Sequence, residues 1–339
     1  MAAMASDMRA SNVELGASNE MEDSEVHELC GFKASGDFGS SGSMSEDRLR
    51  SAAMELALSD VASITNSAAS QRPKLTRDTI KHSLKRFWAE GSKAAAVCNG
   101  LGPLFFAVIH AKDADQVTQN VQLALEEGVA GVFIINHDFD YPQLLPILRQ
   151  VRGRFPDAFV GVNFHTINGG EAFPILGRLA REGVKMDAYW ADNACIQDAS
   201  IDQASAEMIA SLRQRSGWDG LYFGGTAFKN PRQHAKLCTP VPAENLTQVA
   251  EAASRYMDIV TTSGPDTAVA PDAQKIALMR AGCLDTPLCV ASGVTSENVQ
   301  TLFEDVDCVF AASSIQKTGD KTMLDRSKLQ ALLSAVRGS

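Results

Sequence analysis

No stretch of the 339-residue chain approaches the roughly 18 consecutive apolar residues that a membrane-spanning helix needs. Basic clusters are missing too: 31 Lys and Arg against 41 Asp and Glu leave a formal net charge of -10. That balance excludes nucleic acid as the main partner, because phosphate backbones are held by clustered cations, and it argues against an anionic membrane surface. None of the seven cysteines forms a C-x-x-C pair, so a zinc knuckle or a thioredoxin-type site is not expected. H-x-H and H-E-x-x-H are also absent, which leaves no support for a transition metal.

At 45% hydrophobic residues the chain has enough apolar material for a sizeable core. Its first 72 residues supply few of the large apolar side chains. They are rich in Ser, Ala, Met, Gly and Glu, and poor in aromatics and β-branched residues. Such a segment cannot offset its ordering entropy, so it reads as a disordered tail, with a transient helix at 45–61. It lacks the basic start and apolar run of a secretory signal, and Glu20, Glu22, Asp23, Glu25 and Glu28 do not suit a transit peptide. Cys289 and Cys308 lie in apolar runs, as buried reduced thiols would, and the expected compartment is the cytoplasm.

A barrel unit is expected over 73–339. It opens with a helix capped at Thr76, with Ile80, Leu84, Phe87 and Trp88 on one stripe. This helix either covers the N-terminal end of the barrel or makes an oligomer contact. From Leu104 onward, eight short apolar runs alternate with helix-period segments: 104–111, 129–136, 159–165, 186–192, 220–228, 258–264, 288–294 and 307–313. Nearly continuous apolar runs suit parallel strands buried on both faces. Helices are expected over 115–127, 142–154, 171–182, 200–216, 244–256, 272–281, 296–304 and 325–337. Gly128 and Gly183 stand just past helix ends, and Asp272 and Ser296 at helix starts. Eight units over this length predict a (βα)8 TIM barrel. A doubly wound sheet would show a Gly-rich first loop, and the loop here reads HAKDADQ.

Strand C-terminal ends carry the chemistry in such a barrel. Reading them in order gives His110 and Lys112; Asn136, His137, Asp138 and Asp140; Asn163 and His165; Asp192 and Asn193; Lys229; Thr261, Thr262, Ser263 and Gly264; Ser292 and Gly293; and Ser313 and Ser314. Small residues at 292–294 and 311–314 suit close backbone approach, and IQKTGD is long enough for a short extra helix, so the strand seven and eight ends form the expected phosphate site. Lys229 is a Schiff-base amine, a point charge for an anion, or the partner of Asp192 in a structural ion pair. Asp192 and Asp138 are candidate acid–base groups, and Mg2+ held by one carboxylate and substrate phosphates fits as well. His110 reads equally as a core histidine or a catalytic one. Cys195 with His165 or His137 would make a Cys–His pair.

The same strand ends resemble the BtpA (BtpA/SgcQ) family over about two thirds of the chain. The carrying residues are Ile109-His110, Asn136 with Asp140-Tyr141-Pro142, Gly161-Val162-Asn163, Lys229, Ser263-Gly264 with Thr267, Ser292 to Asn298, and Ala312 to Gly319 with Leu324-Asp325. Ile135 and Asn230 depart from the family pattern, the family's proline-glycine loop after the first strand is missing, and FHTIN replaces charged residues after strand three, which marks a divergent member. The resemblance implies a ribulose-phosphate-binding-like barrel with a phosphorylated small-molecule ligand. It also implies a rival, non-catalytic role of the photosystem-biogenesis kind, with the barrel as a scaffold. On the residues themselves, an enzyme of lyase, transferase or isomerase type on a phosphorylated sugar or nucleoside-like substrate is the first expectation. A homo-oligomer is compatible with either.

Overall fold

The eight apolar runs pair as parallel strands and close on themselves. The computed structural model describes residues 74–196, 202–228 and 241–338. The expected tail over 1–72, the helix at 45–61, Lys229, Asn230, Cys30 and Cys238 lie outside the described residues. The strands are β1 (Leu104–His110), β2 (Gly131–Ile135), β3 (Val160–Asn163), β4 (Ala188–Ala191), β5 (Leu221–Gly225), β6 (Ile259–Thr262), β7 (Leu288–Val290) and β8 (Cys308–Ala311). Each pairs with the next, and β1 pairs with β8 from Leu104↔Cys308 to Ala107↔Ala311, so the barrel is closed. The expected TIM barrel is the observed architecture. No helix among the described residues is long and apolar enough to cross a membrane.

Parallel neighbours need crossovers, and helices supply most of them. They are α3 (Ala114–Glu127), α4 (Tyr141–Arg154), α5 (Gly169–Arg181), α6 (Ala204–Ser216), α7 (Leu246–Ala253), α8 (Ala273–Cys283) and, after β8, α9 (Arg326–Arg337). Two earlier helices, α1 (Arg77–Leu84) and α2 (Lys93–Cys98), precede the barrel. Three of the starts are capped by aspartate: Asp113, Asp272 and Asp325 accept from the N–H three residues on. Gly128 ends α3 at φ 95° and Gly183 follows α5 at φ 82°, the left-handed positions expected of them.

Three expectations fail locally. The segment 296–304 forms only a 3-10 turn over Val299–Leu302. Asn298 accounts for this: its Oδ1 accepts from Thr295 N and its Nδ2 donates to Gly293 O, which ties the segment to the end of β7 instead of letting Ser296 cap a helix. The extra helix after β8 is only a 3-10 turn, Ser313–Ile315, and IQKTGD then turns at Gly319 (φ 81°) into an antiparallel hairpin of β9 (Gln316–Lys317) and β10 (Asp320–Leu324). The fifth crossover is split into a 3-10 turn, Ala243–Asn245, and α7, which ends at Ala253 rather than 256.

Two apolar layers result. One lies between the strands and the helices. The other fills the barrel interior and is mostly aromatic: Phe106 touches Phe133, Phe159, Phe223 and Phe310 with ring centroids 5.2–5.9 Å apart, and Trp190 stands 4.9 Å from Phe310. The N-terminal end of this interior is plugged. Thr76 and Thr79 make a reciprocal capping box at the start of α1, and Ile80, Leu84 and Trp88 pack onto the interior cluster. Trp88 Nε1 donates to Ala130 O (2.9 Å) just before β2. The helix therefore covers the N-terminal end, as its stripe predicts.

The same end carries a repeated clamp. Asp187, Asp258 and Asp307 each immediately precede a strand, β4, β6 and β8. Each accepts from the N–H of a residue in the preceding strand: Val160, Tyr222 and Leu288 at 2.9, 2.7 and 2.8 Å. Each is also paired with an arginine from the helix that leads into that preceding strand: Arg152, Arg213 and Arg280. A carboxylate that satisfies a strand-edge N–H and a guanidinium together fixes register and helix position at once.

Candidate functional site

The open, C-terminal end is built from the residues that follow the strands. Side chains alternate along a strand, and Phe106 and Val108 of β1 belong to the interior cluster, so His110 lies on the same inward face. His110 pairs with Ile135, and Ile135 with Asn163, in the parallel ladder. Two residues on, His137 and His165 therefore occupy the next inward layer. The three imidazoles form a row across consecutive strand ends, with ring centroids 4.5 Å apart for His110–His137 and 4.4 Å for His137–His165. His137 is exposed, while His110 and His165 are half-buried.

Beside this row, Asn163 Nδ2 donates to Asp192 Oδ1 (3.1 Å), which links the ends of β3 and β4. Asn163 is buried and Asp192 half-buried. No arginine or lysine among the described residues forms an ion pair with Asp192. Below them Trp190 is 5% exposed, and its indole Nε1 has no hydrogen-bond partner. Asp138, the other carboxylate expected here, stands exposed at the outer edge, where Lys321 of β10 holds it at 2.9 Å. Asn136 is a brace: its Nδ2 donates to Phe139 O (2.6 Å) and its Oδ1 accepts from His165 N (3.1 Å). Tyr189 braces the same loop from below by donating to Ile167 O (2.6 Å), and burial pushes its pKa well up, so it stays a donor.

The strand six and seven ends are filled by the chain itself. A Cβ on Gly264 would lie 1.9 Å from Val269 O, and one on Gly293 would lie 2.0 Å from Ala270 N. Ser292 Oγ accepts from Gly264 N (2.9 Å) and donates to Val269 O (3.1 Å). The close backbone approach that these small residues permit is thus made by the loop after β6. Ser263 is fully buried and donates to Gly264 O. At the end of β8, Ser313 is exposed, and the hydroxyl of Ser314 is buried with no hydrogen-bond partner.

Lys275 is the residue sequence reasoning missed. It lies on the first turn of α8, and its Nζ donates to Ala227 O (2.5 Å) and Ser263 O (2.6 Å), across the ends of β5 and β6. Burial pushes its pKa down to about 8, with Asp272 opposing. The residue is an unremarkable exposed-type lysine by helical period, and only the position of α8 over the strand ends discloses its role. Cys195 is buried at φ 55°, its N–H held by Asn193 Oδ1 (2.8 Å).

Left-handed backbones also gather at this end. Five non-glycine residues have positive φ, and four of them, Thr166, Cys195, Ala227 and Ala268, lie in the loops after β3, β4, β5 and β6. Among the described residues no group of three or more His, Cys, Asp or Glu side chains is arranged to hold a metal. A groove of about 230 Å³ lies at the opposite end, beside Arg77, Lys81 and Leu101. Its polar groups are already engaged, Arg77 with Asp307 and Lys81 with the carbonyls of Gly100 and Gly102.

No family model matches the chain, and no curated protein sequence does. Solved structures do match. (S)-3-O-geranylgeranylglyceryl phosphate synthase from Thermoplasma acidophilum, in complex with sn-glycerol-1-phosphate, superposes with a TM-score of 0.51 at 12% identity, over 77% of this chain and 99% of that one. Phosphoribosyl anthranilate isomerase from Thermus thermophilus has a TM-score of 0.46 at 13% identity, covering 69% and 98%. Orotidine 5'-monophosphate decarboxylase from Methanocaldococcus jannaschii has 0.47 at 10%, covering 69% and 99%. At such identity the likeness to the synthase establishes the fold alone.

Proposed function

We propose that the chain is an enzyme that acts on a phosphorylated small molecule at the C-terminal mouth of the barrel, as a divergent member of the BtpA family. The observation that carries this reading is the gathering of four left-handed non-glycine backbones around the end that also holds the Asn163–Asp192 pair. Each such residue costs on the order of 1–3 kcal/mol and persists where the surroundings over-determine it, typically at sites of function. Asp192, oriented by the Asn163 amide and without an ion-pair partner among the described residues, is the general base. His110, at the end of β1 beside the β8 end, is a hydrogen-bond donor or proton carrier to a substrate oxygen. The phosphate sits at the end of β8, against the backbone of Ser313 and Ser314 and the buried Ser314 hydroxyl. Asp192 is a single carboxylate, which suits Mg2+ only together with a substrate phosphate. The family resemblance rests on the short strand-end motifs, and nothing among the described residues favours the scaffold role.

The test is calorimetric titration of the full chain with sn-glycerol-1-phosphate, ribose 5-phosphate and a nucleoside monophosphate, each beside its unphosphorylated parent. Saturable binding of at least one phosphorylated member is expected, with stabilisation of about 2.7 kcal/mol at 100 times its dissociation constant. Ser314→Val should weaken binding, while Asp192→Asn should retain it. Equal behaviour of phosphorylated and unphosphorylated members would overturn the reading.

A further inference from the structure

The imidazole row is larger than a single proton transfer requires. Going round the mouth from the phosphate end, the strand order places Ser313 and Ser314 after β8, then His110 on β1, His137 after β2, His165 after β3, and the Asn163–Asp192 pair at β3 and β4. The row therefore spans the arc between the proposed phosphate position and the general base. Three imidazoles stand in ring contact with centroids 4.4–4.5 Å apart, and the middle one, His137, is exposed. An imidazole donates strongly to an oxyanion, and an oxyanion in turn favours the protonated ring. Holding the row in place involves a dedicated brace, since Asn136 fixes His165 N while Thr166, the next residue, is held at φ 69°.

We infer that the ligand carries a second oxyanion, a carboxylate or a second phosphate, and that this group is bound by His137 and His165. The substrate class is then a small bisphosphate or a phosphorylated carboxylic acid, not a simple monophosphate. This rests on the phosphorylated-ligand reading above. His137 and His165 bind the second group, and His110 lies between the two anions.

The experiment is calorimetry on the full chain with four probes: inorganic phosphate, sn-glycerol-1-phosphate, 3-phosphoglycerate and fructose 1,6-bisphosphate. At least one two-anion probe is expected to bind tenfold or more tightly than sn-glycerol-1-phosphate. In the His137→Gln, His165→Gln double variant that advantage falls to within twofold, while sn-glycerol-1-phosphate affinity is unchanged. His137→Gln alone, at an exposed position, gives part of the loss without risk to folding. One-anion and two-anion probes binding alike, or a double variant that weakens both equally, would refute the second site while leaving the phosphorylated-ligand reading intact. No binding by any of the four probes would remove both. Zinc chloride titrated alone, if it binds in a manner lost with the double variant, would identify the row as a metal site and overturn the proposal.

Discussion

Asp307→Ala should be among the most damaging single changes in the barrel, although it lies at the end away from the chemistry. The carboxylate is 9% exposed and serves three partners: Leu288 N (2.8 Å) and Arg280 Nη1 (3.0 Å) on Oδ2, and Arg77 Nε (2.9 Å) on Oδ1. It therefore holds β7, α8 and α1 together where β8 begins. Removing one member of a buried ion pair typically costs about 3–5 kcal/mol, because the other charge is left without compensation. Arg280 keeps the carbonyl of Thr286 (2.7 Å), which trims that penalty, but Leu288 N–H becomes an orphan, worth about 1–3 kcal/mol. A net loss of about 3–5 kcal/mol follows, or roughly 6–20 °C in Tm at about 2–4 °C per kcal/mol for a domain of this size. Urea denaturation followed by circular dichroism measures it. The control is Glu182→Ala, which removes an ion pair with Arg149 whose members are 40% and 43% exposed, and which should cost less than about 1 kcal/mol. If Asp307→Ala costs no more than Glu182→Ala, the clamp is ornamental and the reasoning fails.

Lys275 links stability to pH. Its folded pKa of about 8 lies below the ordinary 10.5, so the native state sheds this proton first. Between pH 8 and 10.5 the unfolded chain binds more protons, and stability rises with pH by up to roughly 3 kcal/mol, less what the two carbonyl hydrogen bonds give back to the charged form. Stability of the wild type minus that of Lys275→Met, measured by urea titration at pH 7.5 and 10, should therefore increase, and a flat or falling difference would contradict the burial argument. Gly264→Ala should dislodge the 269–270 segment, because its Cβ would meet Val269 O at 1.9 Å. A cost of about 1–3 kcal/mol is expected from the overpacking, together with faster amide exchange over 265–271. Unchanged exchange there would show that the loop does not depend on the glycine.

The barrel was legible because its strands are buried on both faces. Runs such as LFFAVIH and DCVFAA have no period-2 polar face to confuse with an exposed sheet, and the glycines and capping aspartates between them punctuate the helices. Where a side chain reached outside its own segment, the local signal misled. Asn298 reads as a helix residue until Gly293 O is there to receive its amide, and IQKTGD reads as a helix until β10 has a partner in β9. The site shows the same division. Polar strand ends were visible, and Asn163 and Asp192 do meet, but Asn136, Ser292 and Gly293 are shaped by neighbouring loops rather than by an open cavity. The histidines were seen one by one, yet their row depends on the register of three strands. Lys275 was missed because its partners, Ala227 O and Ser263 O, are backbone atoms, which no residue type announces.

The two ends of the barrel solve opposite problems. At the N-terminal end every buried charge has a designated partner: Asp187, Asp258 and Asp307 each hold an arginine and a strand N–H, and Trp88 closes the one even strand, β2, that has no such aspartate. Charges arranged this way can do little chemistry, because their lone pairs and protons are already committed. At the C-terminal end the balance reverses. Among the described residues Asp192 has an amide and no cation, Lys275 has carbonyls and no carboxylate ion pair, and the indole of Trp190 and the hydroxyl of Ser314 have no hydrogen-bond partner. Incomplete satisfaction of buried polar groups lowers stability, so it survives where something else offsets it. Here the clamps at one end supply stability that lets the other end keep unmatched groups, and a ligand that reaches Asp192 and the buried Ser314 hydroxyl would bind there beside the imidazole row.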